Sequence, residues 1–227
     1  SVTVTASIQV SDTTGVDLNR LSIPYFAGGS PGIVNGYRSF TIWSLISGDK
    51  YNGSYEATLE LIPTKVPPNS YNFYSNHLYD ENGFSSSTSS SSILTVVNST
   101  GDFSGPEITS LTLSPTNVDL STGSVTVTAS IQVSDTTGVD LNRLPRPSFY
   151  GGSPTIPYPY YSFLNWTLIS GDKYNGSYEA SLELIPTKVP PNSYNFSSNR
   201  IYDENGFYST TSSSSILTVV NSTGDFS

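Results

Sequence analysis

The sequence predicts an all-β protein made of two tandem β-sandwich domains, each with about seven to eight short strands. Three observations predict it. Residues 1–104 align with 124–227 without a gap at an offset of 123, and about 86 of those 104 positions are identical. Self-similarity at a fixed period marks a repeated structural unit. Apolar and polar residues alternate with period two in segment after segment, which places one face of a strand on a core. Gly, Pro, Asn and Asp clusters punctuate those segments, and no stretch carries the apolar period of a helix.

Val2 to Val10 is the first predicted strand, with Val2, Val4, Ala6, Ile8 and Val10 on the core side; its copy is Val125–Val133. Ser-Asp-Thr-Thr-Gly-Val-Asp at 11–17 and 134–140 reads as a loop, since Asp and Thr side chains cap their own backbone and Gly supplies turn conformations. The copies differ most at 22–36 and 145–159, a Pro/Tyr/Gly-rich segment expected to be a surface loop. Tyr37–Ile46 and its copy 160–169 read as a strand containing Phe40 and Trp43. Tyr51-Asn-Gly-Ser54 carries the Asn-Gly signal of a two-residue hairpin turn, followed by the alternating strand Tyr55–Leu61. Pro63 and Pro67-Pro68 end that strand, because proline cannot donate to a ladder. Ser70–Tyr79 is another expected strand, Asp80-Glu-Asn-Gly83 a turn, and Ile93–Val97 the last strand of the repeat after a serine run.

The connector, 105–123, alternates like a strand at Ile108–Pro115 and again at Val118–Leu120. It is expected to be the first strand, or split first strand, of the domain that follows, with Ile108, Leu111 and Leu113 completing its sandwich. The expected domains are therefore 1–104, lacking its own first strand, and 105–227. An open sandwich edge is a template for another strand, so a preceding repeat or a neighbouring subunit is expected to supply that strand to the first domain. A strand supplied in trans gives head-to-tail contacts that do not close.

Composition narrows the function. There is no cysteine, so neither a disulfide framework nor a thiolate metal site is available. A net charge of −9 and a pI near 4.3 disfavour nucleic acid and anionic membranes as partners. No apolar run reaches the roughly 18 residues of a membrane span, and no signal peptide is visible within 1–227. Asp49 and Glu56, repeated as Asp172 and Glu179, form a conceivable carboxylate pair, yet no nucleophile–base constellation or cofactor motif accompanies them, and an enzyme is not expected. His77, the one histidine, is Arg200 in the second copy and reads as a surface residue.

The run from Gly105-Pro-Glu-Ile through Val125-Thr-Val-Thr-Ala129, with Ser134-Asp-Thr-Thr-Gly-Val139 and Ile201-Tyr-Asp-Glu-Asn-Gly206, resembles the bacterial immunoglobulin-like repeats of surface and secreted proteins. The resemblance covers both copies. It implies tandem immunoglobulin-like sandwiches serving as spacers, stalks or adhesive arrays outside the cell, with copies of itself or adjacent repeats as partners. It also implies that Asp135, Asp140, Asp203 and Glu204 gather near Asp102 and Glu107 at the domain junction. That many hard oxygen ligands suits Ca²⁺, which takes 6–8 oxygens; the alternative is that the Asp side chains cap their own turns. The long 22–36 and 145–159 segment departs from the family's usual pattern. Asn-x-Ser/Thr occurs at Asn52, Asn98, Asn165, Asn175, Asn195 and Asn221, six candidate glycosylation sites if the chain is secreted. Phe149, Tyr150, Tyr158, Tyr160 and Tyr161 either stack on sugars or a neighbouring surface, or fill their own loop's core. Sugar stacking would make the chain a carbohydrate-binding module pair or the accessory domains of a secreted enzyme.

Overall fold

The computed structural model describes residues 1–74, 77–87, 92–144, 146–152, 156, 161–197, 200–210 and 215–226. It divides into two compact units, Ser1–Phe103 and Ser104–Ser227.

In the first unit the strands are β1 (Val2–Ser11), β2 (Tyr25–Ala27), β3 (Ser44–Gly48), β4 (Asn52–Leu61), β5 (Asn69–Tyr74), β6 (Leu78–Tyr79), β7 (Ser85–Ser86) and β8 (Ile93–Val96). One sheet runs β1-β4-β3, a second β2-β5-β8, and β6-β7 form a small hairpin. The long antiparallel pairing of β1 with β4 runs from Val2 opposite Leu61 to Ser11 opposite Asn52. The alternation read from the sequence puts Tyr55, Ala57, Leu59 and Leu61 of β4 inward and buried. They share one core with Phe26 of β2 and Tyr71 of β5, so both sheets feed it.

The second unit adds β9 (Glu107–Ser114), β10 (Asn117–Asp119), β11 (Val125–Ser134), β12 (Phe149–Tyr150), β13 (Thr167–Gly171), β14 (Asn175–Leu184), β15 (Asn192–Phe196), β16 (Arg200–Tyr202), β17 (Tyr208–Thr210) and β18 (Ile216–Val220). Its sheets are β13-β14-β11-β9 and β10-β18-β15-β12, with a β16-β17 hairpin. Val127 and Ala129 of β11, Leu182 and Leu184 of β14, Tyr194 of β15 and Leu217 of β18 are buried in one core. No helix among the described residues is long and apolar enough to cross a membrane.

Two sequence expectations are corrected. The Asn52-Gly53 pair is not the hairpin turn: both residues already lie in β4. The bend is at Gly48–Tyr51, where Gly48 takes φ +81° and Asp49 Oδ1 accepts the N–H groups of Tyr51 and Asn52 at 2.9 Å each. The turn is therefore built by an Asx cap and a left-handed glycine, while Gly53 is needed because a Cβ there would strike the Asp49 carbonyl and the Leu45 side chain. The expected strand at 37–46 is also shorter. Its first half is a 3₁₀ turn, Asn35–Tyr37, and an irregular stretch, and only Ser44–Gly48 enters the sheet. Phe40 and Trp43 are anchored by burial in the core rather than by a ladder, with Phe40 N–H donating to the Pro24 carbonyl and Thr41 N–H to that of Thr58.

Candidate functional site

The connector segment, 105–123, engages both sheets of the second unit. β9 pairs antiparallel with β11, from Glu107 opposite Ser134 to Ser114 opposite Thr128. The register slips where Val133 faces Ile108 and Gln132 faces Ser110, leaving Thr109 as the extra residue of a β-bulge. Thr109 Oγ1 donates to the Gln132 carbonyl at 3.2 Å and so pins the bulge. Its consequence is geometric: Ile108 and Leu111, three apart, both pack on the core cluster of Ile131, Val133, Val139, Tyr178 and Ile201. Leu111 and Leu113 also pack on the main core.

The same segment then crosses to the other sheet. β10 pairs in parallel with β18, Asn117 opposite Thr218 through Asp119 opposite Val220. Val118 and Leu120 are buried, and Leu120 N–H donates to the Val220 carbonyl at 3.0 Å. Asp119 accepts from Ser121 N–H at 2.8 Å and from Asn221 Nδ2 at 3.0 Å. Those bonds, Ser121's foremost, hold its carboxyl below the usual carboxylate value. At the segment's other end Pro106 is buried and Gly105 lies so close to the Tyr208 backbone that a Cβ would overlap it. One stretch of chain thus closes an edge of each sheet.

Equivalent residues in the first unit show what that closure does. Among the described residues β1 pairs with β3's partner β4 alone, and β8 with β5 alone. Val4, Ala6, Ile8 and Val10 are half-buried, whereas their identical copies Val127, Ala129, Ile131 and Val133 are buried. Phe84 is 76% exposed and its copy Phe207 6%. Two cavities follow β1. One of about 550 Å³ lies between it and β8, bordered by Val4, Ile8, Trp43, Phe73 and Leu94. The other, about 250 Å³, is bordered by Val10, Val16, Leu78 and Phe84. The Trp43 indole Nε1 is buried without a hydrogen-bond partner.

The acidic residues behave mostly as turn caps. Asp135 Oδ1 accepts from Thr137 N–H at 2.8 Å and Gly138 N–H at 2.7 Å. Asp140 accepts from Asn142 N–H at 3.0 Å at the start of a short 3₁₀ turn, and Glu204 pairs with Lys173 at 2.7 Å. The loops at 134–140 and 203–207 do meet. Glu204 N–H donates to the Gly138 carbonyl at 2.9 Å, and Thr137 Oγ1 lies 2.7 Å from Asp135 Oδ1 and 3.0 Å from Asp203 Oδ2. Asp203 is fully buried and also accepts Phe207 N–H at 2.7 Å; burial pushes its carboxyl above the usual value. Glu107 opens β9 with its side chain exposed, and Asp102 closes the first unit. No group of three or more His, Cys, Asp or Glu positioned to hold a metal ion occurs among the described residues.

Asn52, Asn98, Asn165, Asn175, Asn195 and Asn221 are all exposed. Asn98 and Asn221 share a left-handed backbone, φ +56° and +54°, and Asn165 Oδ1 accepts from Arg146 Nε at 2.8 Å. The expected aromatic contact surface is corrected at Phe149. That ring is fully buried, 5.3 Å from Phe163 and 5.7 Å from Phe196, as an inward residue of β12. Tyr161 is half-buried against the same core, Tyr150 is 56% exposed, and Tyr158 and Tyr160 lie outside the described residues. His77 is exposed. Glu56 and Glu179 face serines across the ladder, each accepting a serine hydroxyl, while Asp49 and Asp172 cap their hairpins.

Sequence reasoning did not single out Thr109, Asp119 or Phe207, and it gave Asn221 only as a glycosylation candidate and Gly105 only as part of a motif. The one available signal was the three-residue spacing from Ile108 to Leu111, which breaks strict alternation and marks a bulge.

The model of a domain of unknown function, DUF7035, matches residues 101–226. The chain belongs to the DUF7035 family. The match runs from β9 through β18, so a DUF7035 unit includes the connector strands as well as the repeat they close. No curated protein matches the chain.

Proposed function

We propose that this chain is a structural repeat unit of an extracellular fibre, stalk or adhesin, in which immunoglobulin-like sandwiches follow one another head to tail and a connector strand completes each. The strand orders support the immunoglobulin-like assignment. β9-β11-β14-β13 corresponds to strands A, B, E and D, and β12-β15-β18 to C, F and G. In that scheme β15 is strand F, and Tyr194 donates its hydroxyl to the Pro190 carbonyl four residues upstream at 2.8 Å, the bond of a tyrosine corner. Tyr71 and Pro67 repeat it. Neither β12 nor β2 carries the tryptophan typical of strand C in antibody domains.

The observation that carries the functional reading is the connector. It precedes the repeat it completes, and it engages both sheets at once. Successive units of this kind share one continuous strand-to-strand path along the chain, which suits transmission of tension rather than turnover of a substrate. The sheets present long ladders and turn-capped loops, and Asp135, Asp140 and Asp203 accept from backbone N–H groups.

Electron microscopy of the native material tests this. Extended rods or filaments with beads at the spacing of one repeat are expected. Compact monomers under native conditions would contradict it.

A further inference from the structure

The first unit presents the acceptor half of a strand-docking site, and the second unit presents the same acceptor already filled. The acceptor strand is the same molecule twice, since Ser1–Leu21 and Ser124–Leu144 are identical in sequence. From this we infer that the exposed edges of the first unit bind a connector-type segment, with the pattern of residues 105–121, in one fixed register. The inference rests on the structural-repeat reading above and names the partner of that assembly.

The register follows from the filled copy. Ser114 faces Thr128, Leu113 Ala129, Thr112 Ser130, Leu111 Ile131 and Ile108 Val133. Transferred by the repeat offset, the incoming Leu113 faces Ala6, Thr112 faces Ser7, Leu111 faces Ile8 and Ile108 faces Val10. Leu111 and Leu113 then enter the cavity beside Val4, Ile8 and Trp43, and Ile108 enters that beside Val10 and Phe84. The incoming Gly-Pro start covers Phe84 as Gly105 and Pro106 accompany the burial of Phe207. At the other end the partner's Asn117-Val-Asp stretch lies parallel to β8. Asn98, held in the same left-handed conformation as Asn221, is placed to donate to the incoming aspartate.

The bulge sets where this segment's apolar residues fall. Ile108 and Leu111 are three apart, so this segment turns both inward only by bulging at Thr109, because side chains alternate along a regular strand.

The chain has no cysteine, so engineered thiols report the register cleanly. Directly opposed residues on antiparallel strands have Cα atoms about 4.5–5.5 Å apart, within disulfide reach. The full chain carrying Ser7→Cys is mixed with a synthetic peptide of residues 105–121 carrying Thr112→Cys and oxidised mildly. A saturable cross-link is expected, at least tenfold faster than with peptides carrying Leu111→Cys or Leu113→Cys. A peptide carrying Leu111→Asp beside Thr112→Cys should lose most of that rate, because Leu111 is the side chain that enters the cavity beside Ile8. The Ser130→Cys chain is the internal control and should react poorly, because its own Thr112 already occupies that position. No preference among peptides, or equal reaction at Ser7→Cys and Ser130→Cys, would overturn the inference. In-register cross-linking by native material that forms no rods would leave this site standing and remove the fibre reading instead.

Discussion

Leu120→Ala removes the most deeply buried side chain of the connector without disturbing its backbone, since the bond from Leu120 N–H to the Val220 carbonyl remains. Leu120 is fully buried in the second unit's core with Val118, Leu217 and Val219. Truncating such a leucine removes transfer free energy and leaves a cavity, together about 3 kcal/mol. With a urea dependence of about 1.5 kcal/mol per molar for a unit of this size, the unfolding midpoint should fall by about 2 M. The two tryptophans allow each unit to be followed alone. Trp43 packs in the first unit's core and Trp166 against the second unit's. In a Trp43→Phe background the Trp166 transition should shift by that amount, and in a Trp166→Phe background the Trp43 transition should not move. A shift of the Trp166 midpoint below about 0.5 M would refute the claim that the connector is an integral part of the second unit's core.

Other outcomes follow from the same geometry. Asp203→Asn tests the buried carboxyl. A raised native pKa means the native state binds more protons than the unfolded chain between the ordinary carboxylate value and the raised one, so this group's contribution to stability falls as pH rises through that window. Asparagine can accept Phe207 N–H and donate to Thr137 Oγ1 without charge, so the variant should be at least as stable as the parent near pH 7, with an advantage that shrinks on acidification. A pH-independent loss of stability, read by urea titration at several pH values, would count against this. Burial pushes Tyr71 and Tyr194 up to about 12, so tyrosinate absorbance should show a late ionisation step near that pH. The stabilisation associated with their neutral forms is complete below the unfolded value near 10 and lost as pH rises through 12. Tyr194→Phe leaves the Pro190 carbonyl without its donor and should cost about 1–2 kcal/mol in chemical denaturation; no measurable loss would remove the tyrosine corner from the account. Gly105→Ala introduces a Cβ into the Tyr208 backbone and should speed hydrogen exchange at the β9 amides, while unchanged exchange would place Gly105 outside the closure.

The strands whose two faces see different environments were legible in the sequence. β1, β4, β11 and β14 alternate strictly because one face meets the core and the other solvent, and period two records that. The connector was legible for the same reason, and its two alternating runs became β9 and β10. What was misread had a competing local cause. The Asn52-Gly53 pair carries a hairpin signal, yet the Asp49 cap and the left-handed Gly48 bend the chain earlier. Phe40 and Trp43 look like strand aromatics but reach the core from an irregular segment, a position that no periodicity encodes. Phe149 sits in a loop-like Pro/Tyr/Gly context, while its burial depends on Phe163 and Phe196, distant in sequence. The 134–140 and 203–207 loops meet, and the carboxylates of Asp135 and Asp203 accept from nearby N–H and hydroxyl groups, a choice made by backbone geometry invisible in residue identity alone.

The central claim is that residues 105–123 complete whatever copy of the repeat they precede. The most direct measurement places a second copy of those residues ahead of Ser1 in the 1–227 chain and follows urea unfolding by Trp43 fluorescence in the Trp166→Phe background. Because Ser1 is the repeat equivalent of Ser124, the joined segment reproduces the native spacing. The account predicts that the Trp43 midpoint rises by at least about 1 M, as burial of Phe84 and the β1 face adds at least about 1.5 kcal/mol. A Trp43 midpoint that stays where it was, with the added segment exchanging like free peptide, would contradict it.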